Sequence, residues 1–263
     1  MEQDIISSGY DAVYGSTAKS PTLRRLWHKY AEGLDFPEEF SHISLTTLPE
    51  LQRISAELRL SADETFVDLG CGMAGPALWV ARETGAQLIG VDLSRVATEQ
   101  ASARAAELGL AEQAQFVVGS FTDTGLEANV AAGLMSEDAI QYAPDKRAAM
   151  VEAARILRRG GRFVFTVYEL DPDRAAGLPI LGADLVDDYR PLLADAGFNV
   201  ETYEETPGWP EPMTTTYSAL LNEKEALTEE MGEAAAGALI VELSLTLEHR
   251  PYRRRVLIVA TRE

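Results

Sequence analysis

The chain has a single cysteine, Cys71, and only three histidines, His28, His42 and His249, which lie far apart. A lone thiol excludes an intramolecular disulfide and a cysteine-based zinc site, and it fits a reducing compartment. The histidines are scattered and no acidic cluster shows ligand spacing, so no metal is expected. Long apolar runs are also missing: the most apolar stretch, Ala234 to Leu247, is broken by Glu242 and is too short to span a bilayer. Positive charge is scarce, with 23 Lys and Arg against 42 Asp and Glu, a net charge of −19. Such a surface repels phosphate backbones and anionic lipid, which argues against nucleic-acid and membrane partners. The opening residues Met1-Glu2-Gln3-Asp4 are acidic where a secretory signal would be basic, so a cytoplasmic chain is expected.

What is present is a core-forming composition, 46% hydrophobic over 263 residues, enough for one large domain. Residues 1–60 read as a helical cap. Ser20-Pro21 is a helix start, with Leu23, Leu26, Trp27 and Tyr30 on one face, and Thr47-Leu48-Pro49-Glu50 has the form of a capping box. An acidic and aromatic loop with Phe36, Phe40 and His42 runs between these helices. From about residue 64 strands alternate with helices: strands at 65–69, 87–93, 115–119, 129–135 and 162–167, then 199–203 and 255–260. That order predicts an α/β fold with a doubly wound, mostly parallel sheet over residues 61–263. A helical insertion at about 207–250 precedes the last strand, with one amphipathic helix expected around Met213 to Met231 and a second around Ala236 to Leu247. Residues 191–249 hold 12 acids and a single Lys224, so the insertion is either a solvated hairpin or a substrate lid.

Gly70-Cys71-Gly72-Met73-Ala74-Gly75 follows a strand and opens a helix, the context in which a G-x-G-x-x-G turn binds an adenosine-containing cofactor. Asp92 closes the second strand, where it can meet ribose hydroxyls. A pyrophosphate at this turn wants bare amides and no carboxylate. Asp68, two residues before the first glycine, opposes a pyrophosphate and suits a cationic ligand, which favours S-adenosylmethionine over NAD.

Val67-Asp68-Leu69-Gly70-Cys71-Gly72 resembles the first motif of class I S-adenosylmethionine-dependent methyltransferases. Ile89-Gly90-Val91-Asp92-Leu93-Ser94 resembles their second-strand motif, and Leu157-Arg158-Arg159-Gly160-Gly161-Arg162 the turn before their fifth strand. The resemblance covers about residues 60–170 and points to the small-molecule, ubiquinone/menaquinone-methyltransferase-like branch. It implies a seven-stranded Rossmann-like sheet whose last strand is antiparallel. It also implies that Asp68, Gly70, Cys71 and Gly72 hold the methionyl part, that Asp92 takes the ribose hydroxyls and that Leu93 packs on adenine. Ser120 and Phe121 then stand at the adenine edge, Ser136 lines the methionyl pocket, and Tyr10 and Tyr14 close over the cofactor.

The reaction so implied is methyl transfer to a hydroxyl or amine of a small, partly apolar molecule, with transfer to carbon not excluded. In the segment after the fourth strand, Gln141 and Tyr142 occupy positions where sugar-methylating relatives often place histidine. They are expected to orient a substrate, with Asp138 and the loop residue His42 as candidate bases. His28 and His249 are expected to face solvent, and a homodimer is compatible with the sequence. The alternatives are an NAD-dependent oxidoreductase and a non-catalytic S-adenosylmethionine-binding module.

Overall fold

A computed structural model of the chain describes residues 11–12, 14–17, 19–171, 173–174 and 185–263. Seven strands form one sheet in the order β3-β2-β1-β4-β5-β7-β6. They are β1 (Thr65–Leu69), β2 (Gln87–Asp92), β3 (Ala114–Val118), β4 (Ala131–Glu137), β5 (Leu157–Leu170), β6 (Phe198–Glu205) and β7 (Arg253–Arg262). The pairs among β1 to β5 are parallel, whereas β7 runs antiparallel to both β5 and β6. This is the mostly parallel sheet with an antiparallel last strand that the resemblance implies. Central strands such as β4, buried from Ala131 to Ser136, read as continuous small or apolar runs because helices cover both faces.

One face of the sheet packs on α2 (Leu48–Leu58), α3 (Gly75–Thr84) and α4 (Arg95–Glu107), through Leu51, Ile54, Leu78 and Ala101. The other packs on α5 (Lys146–Ile156) and α6 (Arg190–Asp195), through Met150, Phe163, Phe165, Tyr189 and Leu193. The chain order reverses between β1 and β4, which opens a crevice at the carboxyl ends of these strands.

A third core lies above that crevice. The cap helix α1 (Pro21–Trp27) meets the insertion helices α7 (Pro210–Asn222), α8 (Lys224–Met231) and α9 (Glu233–His249). Leu23, Leu26 and Trp27 of α1 share one apolar cluster with Met213, Leu220, Leu227, Leu239 and Leu243 of the insertion. Glu230 of α8 reinforces the contact by accepting hydrogen bonds from Ser20 Oγ at 2.5 Å and from Thr22 N at 3.2 Å. A carboxylate there also complements the positive end of α1.

Local signals differ from the outcome at several places. Ser20, Ser94 and Asp145 do cap their helices, each accepting a backbone N–H three residues on. Thr47 makes no side-chain capping bond, and Glu50 is taken by Arg255 instead of completing the box. The first insertion helix is two, because the backbone at Glu223 leaves the helical region (φ −104°, ψ 23°) so that Leu220 and Leu227 both reach the same core. The helix that Asp145 opens stops at Ile156, since Leu157 already pairs with Ala131. Between β5 and β6 the one helix among the described residues, α6, is short, Arg190–Asp195.

Because α1 and α7 share one core, Met213→Ala, a truncation at a fully buried site, is expected to cost about 2–5 kcal/mol in urea unfolding. Hydrogen exchange should show loss of protection in α1 as well as in α7. Loss confined to α7 would mean that the cap and the insertion are independent units.

Candidate active site

The crevice is built first by backbone. After β1 the chain turns through Gly70 (φ 77°), Gly72 (φ 51°) and Ala74 (φ 56°) before α3 begins. The amides of Gly70 and Cys71 both donate to the Val91 carbonyl, at 2.8 and 3.1 Å, which pins the turn to β2. A Cβ at Gly70 would lie 2.9 Å from the Phe121 ring, and one at Gly72 would lie 2.7 Å from the Tyr14 hydroxyl oxygen. The third glycine serves a different contact: a Cβ at Gly75 would lie 2.0 Å from the carbonyl oxygen of Phe40, so bare backbone there admits the cap loop.

Asp92 is buried, and its two oxygens accept the amides of Gly72 and Ser94, each at 2.8 Å. Burial raises its pKa, against those two hydrogen bonds. A carboxylate has about four lone-pair sites, more than these amides use, so capacity remains for a hydroxyl donor. Asp68 is also buried and accepts no hydrogen bond from the described residues. Burial, and then the neighbouring Asp92, push it up to about 8. A buried carboxylate without a partner calls for a cation. The chemistry of this crevice therefore fits a cationic ligand such as S-adenosylmethionine.

Other expected cofactor residues surround these. Tyr14 covers Gly72, and its carbonyl accepts from Gln100 Nε2 at 3.3 Å. Asp11 accepts from Ser94 Oγ at 2.5 Å and from Val96 N at 3.2 Å, which fastens the N-terminal segment to the start of α4. Leu93 is half-buried beside Asp92. The Cys71 thiol is buried and pushed well up by that burial, which makes it packing rather than a nucleophile. Ser120 turns toward its own loop, where the Asp123 amide donates to its Oγ at 3.0 Å. The fully buried Ser136 donates to the Leu69 carbonyl at 2.7 Å, clamping β4 to β1. Tyr10 lies outside the described residues.

The rim toward the cap holds the catalytic candidates, and the structure separates their roles. Asp138 has one oxygen on Arg255 Nε at 2.8 Å and the other on the Leu45 amide at 3.0 Å. Both oxygens are committed, so Asp138 fastens the cap to the sheet rather than standing free as a base. Gln141 donates through Nε2 to the Asp138 carbonyl, which leaves its Oε1 buried without a partner. Tyr142 donates to Glu242 of α9 at 3.1 Å. His42 is buried against Phe36, and burial lowers it to about 4. Its Nδ1 accepts the Ser44 amide at 3.1 Å, so the proton of the neutral ring sits on Nε2, which has no partner. In that tautomer His42 offers a donor, not a base. Two histidines expected in solvent are not there: His249 is fully buried, and His28 Nδ1 lies 2.9 Å from the buried Glu32.

Sequence reasoning passed over Glu137. It ends β4, and both its carboxyl oxygens are buried without a partner. Burial first, then Asp68, raise its pKa well above the usual carboxylate range. The available signal was an acid at the carboxyl end of the strand beside Asp68, but the neighbouring Asp138 drew the attention. Arg255 was also missed, because a buried arginine in a basic triplet looks like surface charge. Among the described residues there is no metal-holding group of three or more His, Cys, Asp or Glu side chains. No helix among them is long and apolar enough to cross a membrane.

Residues 67–165 match the family described as a methyltransferase domain. The chain is similar to sarcosine/dimethylglycine N-methyltransferase of Halorhodospira halochloris, 28% identical over 179 residues, which is 65% of this chain and 63% of that protein. It is also similar to 27-O-demethylrifamycin SV methyltransferase of Amycolatopsis mediterranei, 23% identical over 80% of this chain and 79% of that protein. Among solved structures, the [4+2]-cyclase SpnF superposes with a TM-score of 0.77 at 19% identity, covering 98% of this chain and 94% of that one. A likeness at that identity carries the fold.

Asp68 sets a proton-linked binding test. Its carboxyl is protonated below about pH 8, and a cationic ligand stabilises the ionised form. Binding of S-adenosylmethionine should therefore release a proton near pH 7, and its affinity should climb toward pH 8 and then level off. Titration calorimetry in buffers of different ionisation enthalpy reads the proton directly. Asp68→Asn should abolish the release and weaken binding by about tenfold or more. Unchanged release in the variant would assign the proton elsewhere.

Proposed function

This chain carries a class I S-adenosylmethionine-dependent methyltransferase domain at residues 67–165, and we propose that it transfers the cofactor's methyl group to a hydroxyl or amine of a small, partly apolar molecule. The observation that carries this reading is the placement, around one crevice, of a glycine cradle with Asp68 and Asp92 and of a buried, unpartnered Glu137 beneath an aromatic roof. Asp68 speaks against NAD, whose pyrophosphate would meet a buried carboxylate. When bound, the cofactor supplies an electrophilic methyl group.

The chain's own part is alignment and proton handling. Trp27, Trp209, Tyr168 and Tyr217 roof the rim through the shared apolar cluster and exclude water. Ordering the acceptor against the crevice can contribute on the order of 7–11 kcal/mol. Glu137, rather than Asp138 or His42, is the group placed to take the acceptor's proton. A cation in the crevice favours its ionised form, and neither oxygen has another partner to lose. Gln141 and Tyr142 orient the acceptor from the same rim. The reading extends to a cytoplasmic enzyme, consistent with its acidic surface and its lone buried thiol.

The test is methyl transfer from labelled S-adenosylmethionine across a panel of phenols, alcohols, hydroxy acids and amines, followed by mass spectrometry. A methylated product together with S-adenosylhomocysteine is expected, and its absence across the panel despite cofactor binding would overturn the reading. Glu137→Gln is expected to lower kcat by about 10²- to 10⁴-fold while leaving cofactor affinity within about twofold.

A further inference from the structure

Three consecutive arginines begin β7, and they meet different fates. Arg254 pairs with Glu169 at 2.5 Å, and Arg255 pairs with Asp138 and Glu50, each at 2.8 Å. Arg253 has no carboxylate within ion-pair distance among the described residues, in a chain where acids outnumber bases 42 to 23. Its Nε is buried and donates to nothing. The guanidinium instead lies 5.8 Å from the centre of the Tyr168 ring, whose far neighbour is Trp209 at 5.6 Å.

Arg253 opens into a cleft beneath α9 that Gln141, Lys146, Tyr168 and Thr246 also line. The described lining of this cleft has two cations and no carboxylate. Three of its polar atoms are buried and unsatisfied: Arg253 Nε, the Tyr168 hydroxyl and Gln141 Oε1. The Gln141 amide is oriented by its Nε2 donation to the Asp138 carbonyl, so the free atom is the acceptor oxygen. The acid of α9 whose charge Arg253 feels, Glu242, is bonded to Tyr142, and burial raises its pKa toward the neutral acid against the opposing pull of that bond and of Arg253. Buried polar atoms without partners are costly and are normally satisfied by something. Two donors beside one acceptor describe a ligand bearing an oxyanion with an N–H or O–H group next to it.

We infer that this cleft is a subsite for an oxyanionic group of the methyl acceptor, a carboxylate or phosphate flanked by a hydroxyl or amine, with Arg253 as its specificity-determining residue. Arg253 and Tyr168 donate to the oxyanion and Gln141 accepts from the neighbouring donor. Gln141 belongs to the segment that begins at Glu137, so the anchored end holds the reacting hydroxyl or amine toward the crevice. The anion explains how a strongly acidic chain would select an anionic acceptor: attraction is local, while the remaining surface repels. The inference rests on the methyl-transfer reading, and its test separates the two.

The chain is loaded with saturating S-adenosylhomocysteine and titrated, by ligand-observed NMR, with mandelate, phenyl phosphate and the neutral mandelamide. Mandelate carries a carboxylate beside a hydroxyl, phenyl phosphate tests the phosphate source, and mandelamide removes the charge. At least one oxyanion is expected to bind about tenfold or more tightly than mandelamide. Arg253→Met should remove that preference while S-adenosylhomocysteine affinity stays unchanged, which also reports that the variant is folded. Arg253→Lys should keep part of the preference, and Tyr168→Phe should weaken the oxyanion alone. Equal binding of acid and amide, a preference that survives Arg253→Met, or no oxyanion binding to the loaded chain would overturn the subsite. Failure of S-adenosylhomocysteine to bind the wild-type chain would instead overturn the methyl-transfer reading.

Discussion

The Arg255 guanidinium is the tie on which the site's geometry depends. It is 2% exposed, yet it reaches Glu50 at the start of α2, Asp138 beyond the end of β4, and Thr206 just after β6. Asp138 in turn holds the Leu45 amide of the cap loop. A buried cation is tolerated only when its charge and donors are met, and here two carboxylates and two hydroxyls meet them. Removing the arginine would leave two buried carboxylates uncompensated, a change that costs far more than the pair itself contributes. Four parts of the chain are thereby held to one position over the carboxyl ends of β1 and β4.

Around this ion-paired centre sit acids that have no ion pair among the described residues. Both carboxyl oxygens of Glu137 are buried without a partner, Asp68 is buried with no ion pair among the described residues, and Asp92 is held by backbone amides. Burial raises all three carboxyls, because water no longer stabilises their charge. A site of this kind waits for positive charge from outside. A cationic cofactor supplies it, and its arrival favours the ionised form of the neighbouring acids, the form that can take up a proton. The contrast between Asp138 and Glu137, adjacent in sequence, comes from what each meets: one pairs with a guanidinium and the other is buried without a partner.

The roof over the crevice belongs equally to the first and the last thirds of the chain. Trp27 lies 5.8 Å from Tyr217, and its indole N–H donates to the Ser44 carbonyl at 2.9 Å, so helix α1, the cap loop and helix α7 meet at one side chain. Apolar faces that would be exposed on either part alone are buried by the other. That mutual burial, rather than attachment to the sheet edge, is what places the insertion above the site.

The alternation of strands and helices, the capped helix starts and the glycine turn are local properties, and each was legible because neighbours in sequence settle it: backbone hydrogen bonding, side-chain period, and the steric freedom of glycine. The Asp68 and Asp92 positions came with them, since a strand end places its last side chains without help from afar. The roles of Asp138, Glu137, His42 and the three arginines were not legible. An acid is a tie, a base or a surface charge according to which cation or cavity faces it, and here Arg255 lies 117 residues from Asp138. The same holds for Glu50, read as a cap by its own helix and claimed by a strand 205 residues away. Sequence alone determined the sheet and the cradle because short-range geometry suffices for them. Only the tertiary structure decided which buried charges are paired and which are left open, because that depends on burial and on partners that the fold brings from distant segments.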